Sequence, residues 1–421
     1  MNDAKISVDV SGFHEDGSMT SAAHAVRRVG PQAAFWLVAY AFAVTMLGTT
    51  LPTPLYPAYE RLYGFGPLTE TVVFATYAVG VLVALLGFGS ASDTVGRRPV
   101  LLAGLTVSAL SSVTFLVAGG PHAYGLSLLL VGRFLSGLSA GIFTGTATAA
   151  LADFAAPGRQ LRASLIAAVA NIGGLGLGPL IGGILARYAG WPLQTCFLLH
   201  LGLLLVAVVA ISAIPEPVSV ARPRRLRMQE LHVPAQTRTV LVQAGTAGFA
   251  GFAVLGLFTA VSPTVLQLLG HNDPALTGLV VFTVFVASAA GQVASVRFPV
   301  RTSLLAGTAT LIVGIAAVGV SIGTSSLSLL VAGGVVAGAG QGISFRAALG
   351  AITSASPEHH RGAVVSTFFV ICYAGISLPV LGVGVGIRSW GLVPTGEVFA
   401  GVVAGLSLAA FISLARSLRS G

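Results

Sequence analysis

The sequence predicts an all-α membrane protein whose twelve transmembrane helices form two pseudo-symmetric six-helix bundles. Three observations predict it: too little charge to cover a water-facing surface, apolar runs that fall as six, a break and six, and a partial internal repeat. Of the 421 residues, 55% are hydrophobic and 8% charged, where a soluble chain carries about a quarter charged residues. The surface therefore faces an apolar medium, and a bilayer is the usual one. The 54 Gly suit helices that approach closely within a membrane.

Residues 1–33 are polar and mix Lys5, Arg27 and Arg28 with Asp3, Asp9, Glu15 and Asp16. They hold no apolar stretch with a small-residue cleavage site, so a cytoplasmic tail without a cleaved signal peptide is expected. Runs of about 20 apolar residues, the length that crosses a bilayer, fall near 34–56, 70–91, 99–118, 123–147, 163–186 and 194–213. His200 interrupts the last of them. The first bundle is thus read as 34–213. The Pro- and Arg-rich stretch 214–238 comes next as a cytoplasmic linker, whose charge anchors topology and suits anionic headgroups. Spans resume near 239–267, 275–296, 301–320, 325–348, 363–386 and 396–415, so the second bundle covers 239–416 and a short tail covers 417–421.

Lys and Arg set the orientation. With the N-terminus inside, 18 of the 22 fall on the cytoplasmic side, Arg61, Arg187 and Arg388 fall outside, and Arg133 stays within a span. An odd number of spans would break this alternation. Both termini are therefore expected in the cytoplasm and the chain in the plasma membrane. One Lys against 21 Arg hints at a GC-rich bacterial genome.

The halves resemble each other at an offset near 200. Gly137-Leu-Ser-Ala-Gly141-Ile142 in the fourth span matches Gly338-Ala-Gly-Gln-Gly342-Ile343 in the tenth, and Leu101-Leu-Ala-Gly104 reappears as Leu304-Leu-Ala-Gly307. Pro157 with Arg162 corresponds to Pro357 with Arg361. Each match alone is weak; their common order carries the inference. Transporters built from such halves bind substrate at the interface between them.

The loop after the second span reads Gly89-Ser-Ala-Ser-Asp93-Thr-Val-Gly96-Arg97-Arg98-Pro99. Asp93 ends a helix, Gly96 permits a tight turn, and Pro99 suits the first turn of the next helix. This pattern resembles the second-loop motif of the major facilitator superfamily, and the span count and halves agree with that resemblance from residue 34 onward. The resemblance implies a cytoplasmic latch of the outward-facing state, in which Asp93 meets the start of span eleven near Gly362 and Ala363. A carboxylate there would be favoured by the helix N-terminus. Arg97 or Arg98 would pair with Asp153 at the end of span four. The second half has no good copy, since Gly291 to Arg301 lacks an acid.

Arg133, followed by Gly137 and Gly141 at successive four-residue steps, lies near the middle of the fourth span as read. A charge in a span costs about 2.5–3.5 kcal/mol or more on insertion scales and marks a functional candidate. The pattern is similar to the superfamily's span-four motif, in which Arg is linked to proton coupling; the alternative is a structural Arg that caps carbonyls of a neighbouring helix. In span five, Gly174, Gly178, Pro179, Gly182 and Gly183 combine a bend with small-residue contacts. This looks like the motif enriched in the drug–proton antiporters of the superfamily, although Gly-rich packing alone also explains it. Tyr40, Tyr77, Asn171, Gln243, Gln292, Gln341 and Tyr373 are polar groups in apolar spans. They line a central cavity or hold helices together. His200 either titrates near neutral pH or packs at an interface. Cys196 and Cys372 are read as buried thiols without a redox role.

The thirteen acids all fall in tails, loops or helix ends, with Glu60 and Glu70 on the outer side. A cavity without charge argues for a neutral or lipophilic substrate. The basic residues form no stripe, which argues against nucleic acid. No Ser/His/Asp set, metal-ligand cluster or phosphate loop points to an enzyme or to ATP drive. A receptor or scaffold would need neither the loop motif nor Arg133. The expectation is a monomeric secondary transporter with no cofactor, whose partners are the bilayer, protons and a small molecule. It would export amphipathic molecules in exchange for protons, or alternatively import or equilibrate a neutral metabolite such as a sugar.

Overall fold

The structure, a computed structural model, describes residues 29–89, 91–121, 123–218 and 233–419, with side chains to residue 416. The tail before Val29, and the part of the linker that holds Arg222, Arg224, Arg225 and Arg227, lie outside the described residues. Among the described residues twelve helices are long and apolar enough to cross a membrane. The first half contains α1 (Pro31–Thr50), α3 (Pro67–Phe88), α5 (Arg97–Ala118), α6 (Gly125–Asp153), α7 (Gln160–Tyr188) and α8 (Thr195–Ala213). Two short helices interleave with them, α2 (Tyr56–Tyr63) and α4 (Ala91–Val95). The second half contains α9 (Arg238–Ala260), α11 (Pro274–Ala294), α12 (Val300–Gly323), α13 (Leu327–Ala355), α14 (Arg361–Trp390) and α15 (Leu392–Arg419), with the short α10 (Ser262–Leu268). An even number of crossings puts the start of α1 and the end of α15 on one face of the molecule, the terminal face; the opposite one is the far face.

The ends differ from the sequence reading where side chains outside the apolar core decide them. The first α-helix stops at Thr50, because Pro52 and Pro54 supply no N–H to continue it, and a 3-10 turn and α2 carry the same span on to Tyr63. The fourth runs on to Asp153, roughly 43 Å at 1.5 Å per residue, so its last turns project beyond a hydrocarbon core of about 30 Å. Across His200, α8 is unbroken: Nδ1 of its ring meets Ser112 Oγ on α5 at 2.7 Å, and Nε2 meets the Val44 carbonyl of α1 at 3.0 Å. The imidazole is buried against Gly48, a packing role rather than an exposed titrating one.

The repeat is visible as equivalent packing. In the first half α6 packs on α3 and α5, α7 on α1, and α8 on α5. In the second, α13 packs on α11 and α12, α14 on α9, and α15 on α12. Gly137 abuts the Tyr77 carbonyl of α3, and its counterpart Gly338 abuts the Val284 carbonyl of α11. Gly141 and Gly342 do the same one turn on, against Val81 and Ser288. A Cβ at any of these would strike backbone, so only Gly allows the spacing.

The halves join through α7 with α11 and, by the same pseudo-symmetry, α14 with α3. Helix α7 has two glycine faces. Gly174, Gly178 and Gly182 press on the carbonyls of Ala43, Leu47 and Leu51 of the first half, while Gly176 and Gly183 meet Phe285 and Pro274 of the second. Pro179 cannot donate to the Leu175 carbonyl four residues back, and the Thr50 hydroxyl donates to it instead, at 2.8 Å. The bend is thus closed by a side chain of the same half. Thr50→Val should therefore destabilise the purified protein by about 1–2 kcal/mol, read as a lowered thermal midpoint. Adding Pro179→Ala, which restores the missing N–H, should recover part of that loss; a purely additive double variant would refute the pairing.

Candidate functional site

Contacts between the halves concentrate at the far face. There Gly183 lies on Pro274 and Gly278 on Pro179, Gly384 of α14 meets Thr71 of α3, and Arg187 forms an ion pair with Asp273. Toward the terminal face α7 and α11 part. Trp36, Tyr40, Arg162, Ile166, Ala170 and Val293 line a cavity of about 610 Å3 there, between α1, α7 and α11. The halves thus touch at the far face, around a cavity of about 550 Å3 that residues of both line, and part toward the terminal one.

Mid-way between, rings from both halves meet. Tyr77 of α3 faces Tyr373 of α14 at 6.4 Å between centroids. The run continues through Phe252 of α9 at 6.0 Å and Phe345 of α13 at a further 5.4 Å. Phe345 in turn neighbours Phe368 and Phe369. The sequence reading found the tyrosines but not these phenylalanines, because Phe in an apolar span gives no signal of where it points.

Arg133 is 1% exposed. Its Nη1 donates to the Thr49 carbonyl at 2.6 Å, and its guanidinium lies 5.2 Å from the Phe74 ring and 5.1 Å from the Tyr77 ring. Thr49 belongs to the last turn of α1, where carbonyls lack helical partners and the helix dipole is negative. Arg133 also sits roughly 12 Å from the far-face end of α6 rather than at its middle, since that helix extends further toward the terminal face than read. Both roles considered for it remain compatible: it caps a carbonyl, and it touches the ring that faces Tyr373.

The other polar candidates divide. Tyr40 lines the terminal-face cavity and donates to the Leu203 carbonyl at 3.1 Å. Asn171 is half-buried on α7 beside that cavity's Ala170. Gln341 is buried; its Oε1 accepts from Ser288 at 2.6 Å while its Nε2 has no partner, and it packs on Gly251. Gln243 is a correction. Its amide donates to Ser413 of α15 at 3.1 Å, so it fastens α9 to its neighbour at the periphery instead of lining the space between the halves.

On the terminal face the second loop forms one network. Gly89 closes α3, and Gly96 takes φ 108°, a conformation open to Gly. Arg97 donates through Nη1 to Ser92 at 2.7 Å and Asp93 at 2.6 Å, and through Nε to Asp153 at 3.0 Å. Arg98 donates to the Ser212 carbonyl. Glu216, read only as linker, accepts the backbone N–H groups of Arg97 at 2.7 Å and Arg98 at 2.9 Å, satisfying orphan donors at the start of α5. Asp93 does not meet the start of α14: its side chain is 65% exposed and engaged by Arg97, and Gly362 is exposed. The reason is conformational, since the expected contact belongs to a terminal face that is closed and here it is open.

The family model described as Major Facilitator Superfamily matches residues 38–380. The chain belongs to that superfamily. Its twelve long apolar helices make it a multi-pass membrane protein of that superfamily. It is 28% identical over 283 residues to a protein of Escherichia coli O81 (strain ED1a) that bears the multidrug-resistance name MdtD, covering 63% of this chain and 58% of that one. The MdtD of Salmonella typhi is 25% identical over 281 residues, with the same coverage. The chain thus spans somewhat under two thirds of the length of these relatives. The crystal structure of the human organic anion transporter MFSD10 (TETRAN) superposes with a TM-score of 0.63 at 17% identity, covering 92% of this chain and 100% of that one; at such identity the likeness is one of fold. Arg97 of the superfamily chain makes two ion pairs, with Asp93 and Asp153.

The Glu216 contact has a measurable worth. Glu216→Ala should lower stability by about 1–2 kcal/mol, the usual scale for losing an N-terminal helix cap. Glu216→Gln, which keeps one acceptor oxygen, should fall between. A Cβ at Gly96 would lie 2.9 Å from the Glu216 carboxylate on a backbone that disfavours side chains, so Gly96→Ala should cost more than either. Thermal midpoints of the purified variants would show the order, and an unchanged midpoint for Glu216→Ala would contradict the capping role.

Proposed function

We propose that the chain exports lipophilic or amphipathic small molecules in exchange for protons, as a monomer that alternately exposes the space between its halves. The terminal face would then be cytoplasmic, as the 18 of 22 Lys and Arg assigned to it suggest. The observation that carries the substrate class is the run of rings from Tyr77 through Tyr373 and Phe252 to Phe345, which crosses from one half to the other at mid-depth and holds no charged side chain of its own. Stacked and edge-on ring contacts reward flat apolar molecules, and nothing in the run would pair with a fixed charge on the ligand. The multidrug-resistance name of the relatives and the Gly-Pro bend of α7 support export. The gradient of protons would supply the energy.

Uptake of a lipophilic fluorescent dye into proteoliposomes under an imposed pH gradient tests this, with protein orientation determined and a proton ionophore as control. Wild type should transport in a gradient-dependent way. Arg133→Ala, if it folds as wild type does, should lose gradient-driven transport by about tenfold or more, equivalent to roughly 1.4 kcal/mol. Saturable transport indifferent to the gradient would instead indicate a facilitator. Phe252→Ala and Tyr373→Ala should raise the half-saturating dye concentration about two- to tenfold, as ring contacts of ~0.5–1.5 kcal/mol would give. Unchanged half-saturation in both would remove the ring run from the substrate site.

A further inference from the structure

Glu70 lies one turn into α3 at the far face and is 2% exposed. The sequence places it at the rim; the fold covers it. One carboxylate oxygen, Oε2, lies 3.4 Å from the hydroxyl of Thr264, which comes from α10 of the other half. The other, Oε1, has no partner. No Lys, Arg or His stands within ion-pair distance among the described residues. Nor does the group cap its own helix, since the N–H groups of Thr69 and Glu70 go to the Gly66 carbonyl.

The surroundings offer no counter-charge. On α2, Tyr56 and Tyr59 have buried hydroxyls without partners, and Glu60 has an unpartnered carboxyl oxygen. Glu60 is the charged group within electrostatic reach of Glu70, and Arg61 beside it bears on Glu60. Tyr56 is within reach of both Glu70 and Arg133, but Arg133 is committed to Thr49 and two rings. From α14, Gly384 lies against Thr71 and brings no titratable side chain. The Arg187–Asp273 pair is satisfied within itself. A carboxylate shut away from water with another carboxyl as its charged neighbour is strongly disfavoured. The neutral acid, with one O–H to donate, fits the same place.

Because Thr264 belongs to the second half, separating the halves at the far face uncovers Glu70 to water, where the carboxylate is the stable form. We propose that Glu70 is a proton-binding site of the far-face gate: the mouth closes over the protonated carboxyl, and the proton exchanges with the far-side solution when the mouth opens. This deepens the proton-coupled reading and rests on it for the use made of the proton; the site itself can be tested without it.

The test measures the distance across the far face with spin labels at Tyr124→Cys and Trp390→Cys, both exposed in the closed form, in a background carrying Cys196→Ala and Cys372→Ala. As pH rises, the wild-type background should shift from the short to the long distance. Glu70→Gln and Glu70→Ala, which cannot ionise, should stay at the short distance at every pH, while Glu60→Gln should still open. Either Glu70 variant suffices if the other fails to fold. A background without pH response, or Glu70 variants that open as it does, would overturn the proposal. Dye transport by the same proteins separates the two readings. Gating through Glu70 without gradient-driven transport would sink proton-coupled export and keep the site. Gradient-driven transport with gating indifferent to Glu70 would do the reverse.

Discussion

Everything in this structure depends on backbone approaching backbone at α7. Inside a bilayer the hydrophobic effect does not press helices together, so close contact must come from dispersion and from the absence of side chains in the way. Helix α7 achieves this on two faces at once, with Gly174, Gly178 and Gly182 against α1 and Gly176 and Gly183 against α11. One face binds it to its own half and the other to the opposite half. The seam between the halves is therefore no separate interface but the outer side of the same helix that organises the first bundle. The Pro179 bend, closed by Thr50, lies between these contacts and is fastened to the first half.

Much of this architecture is legible in the sequence because the bilayer restricts what a chain can do. A span must be about 20 apolar residues and must satisfy its own backbone, so hydropathy alone located all twelve among the described residues. The repeat of Gly137 and Gly141 at Gly338 and Gly342 correctly paired α6 with α13. What hydropathy could not show is which way a residue points. Helices apolar all round have no polar face to mark the outside, so Gln243 and Gln341 looked alike although one fastens α9 to α15 and the other is buried among α9, α11 and α13.

Two further residues were hidden for a different reason. Glu216 sits between two prolines in a stretch that reads as connector, and Glu70 sits at the edge of a span. Sequence position describes each correctly. Their environments are made by segments far away in the chain: the start of α5, some 118 residues before Glu216, and α10, 194 residues after Glu70. Non-local coverage of a polar group leaves no local pattern, and in both cases an unexplained acid was the available clue.

Arg133 has a carbonyl, not a carboxylate, as the partner of its buried charge, and that choice has a consequence. The Thr49 carbonyl meets the guanidinium with a helix-end dipole, and the rings of Phe74 and Tyr77 meet it with their π electrons, so no formal negative charge is spent on it. One side chain on α6 thereby touches the end of α1 and two successive turns of α3. Arg133 is thus a three-way fastener, whose removal would loosen α1, α3 and α6 from one another at the same point.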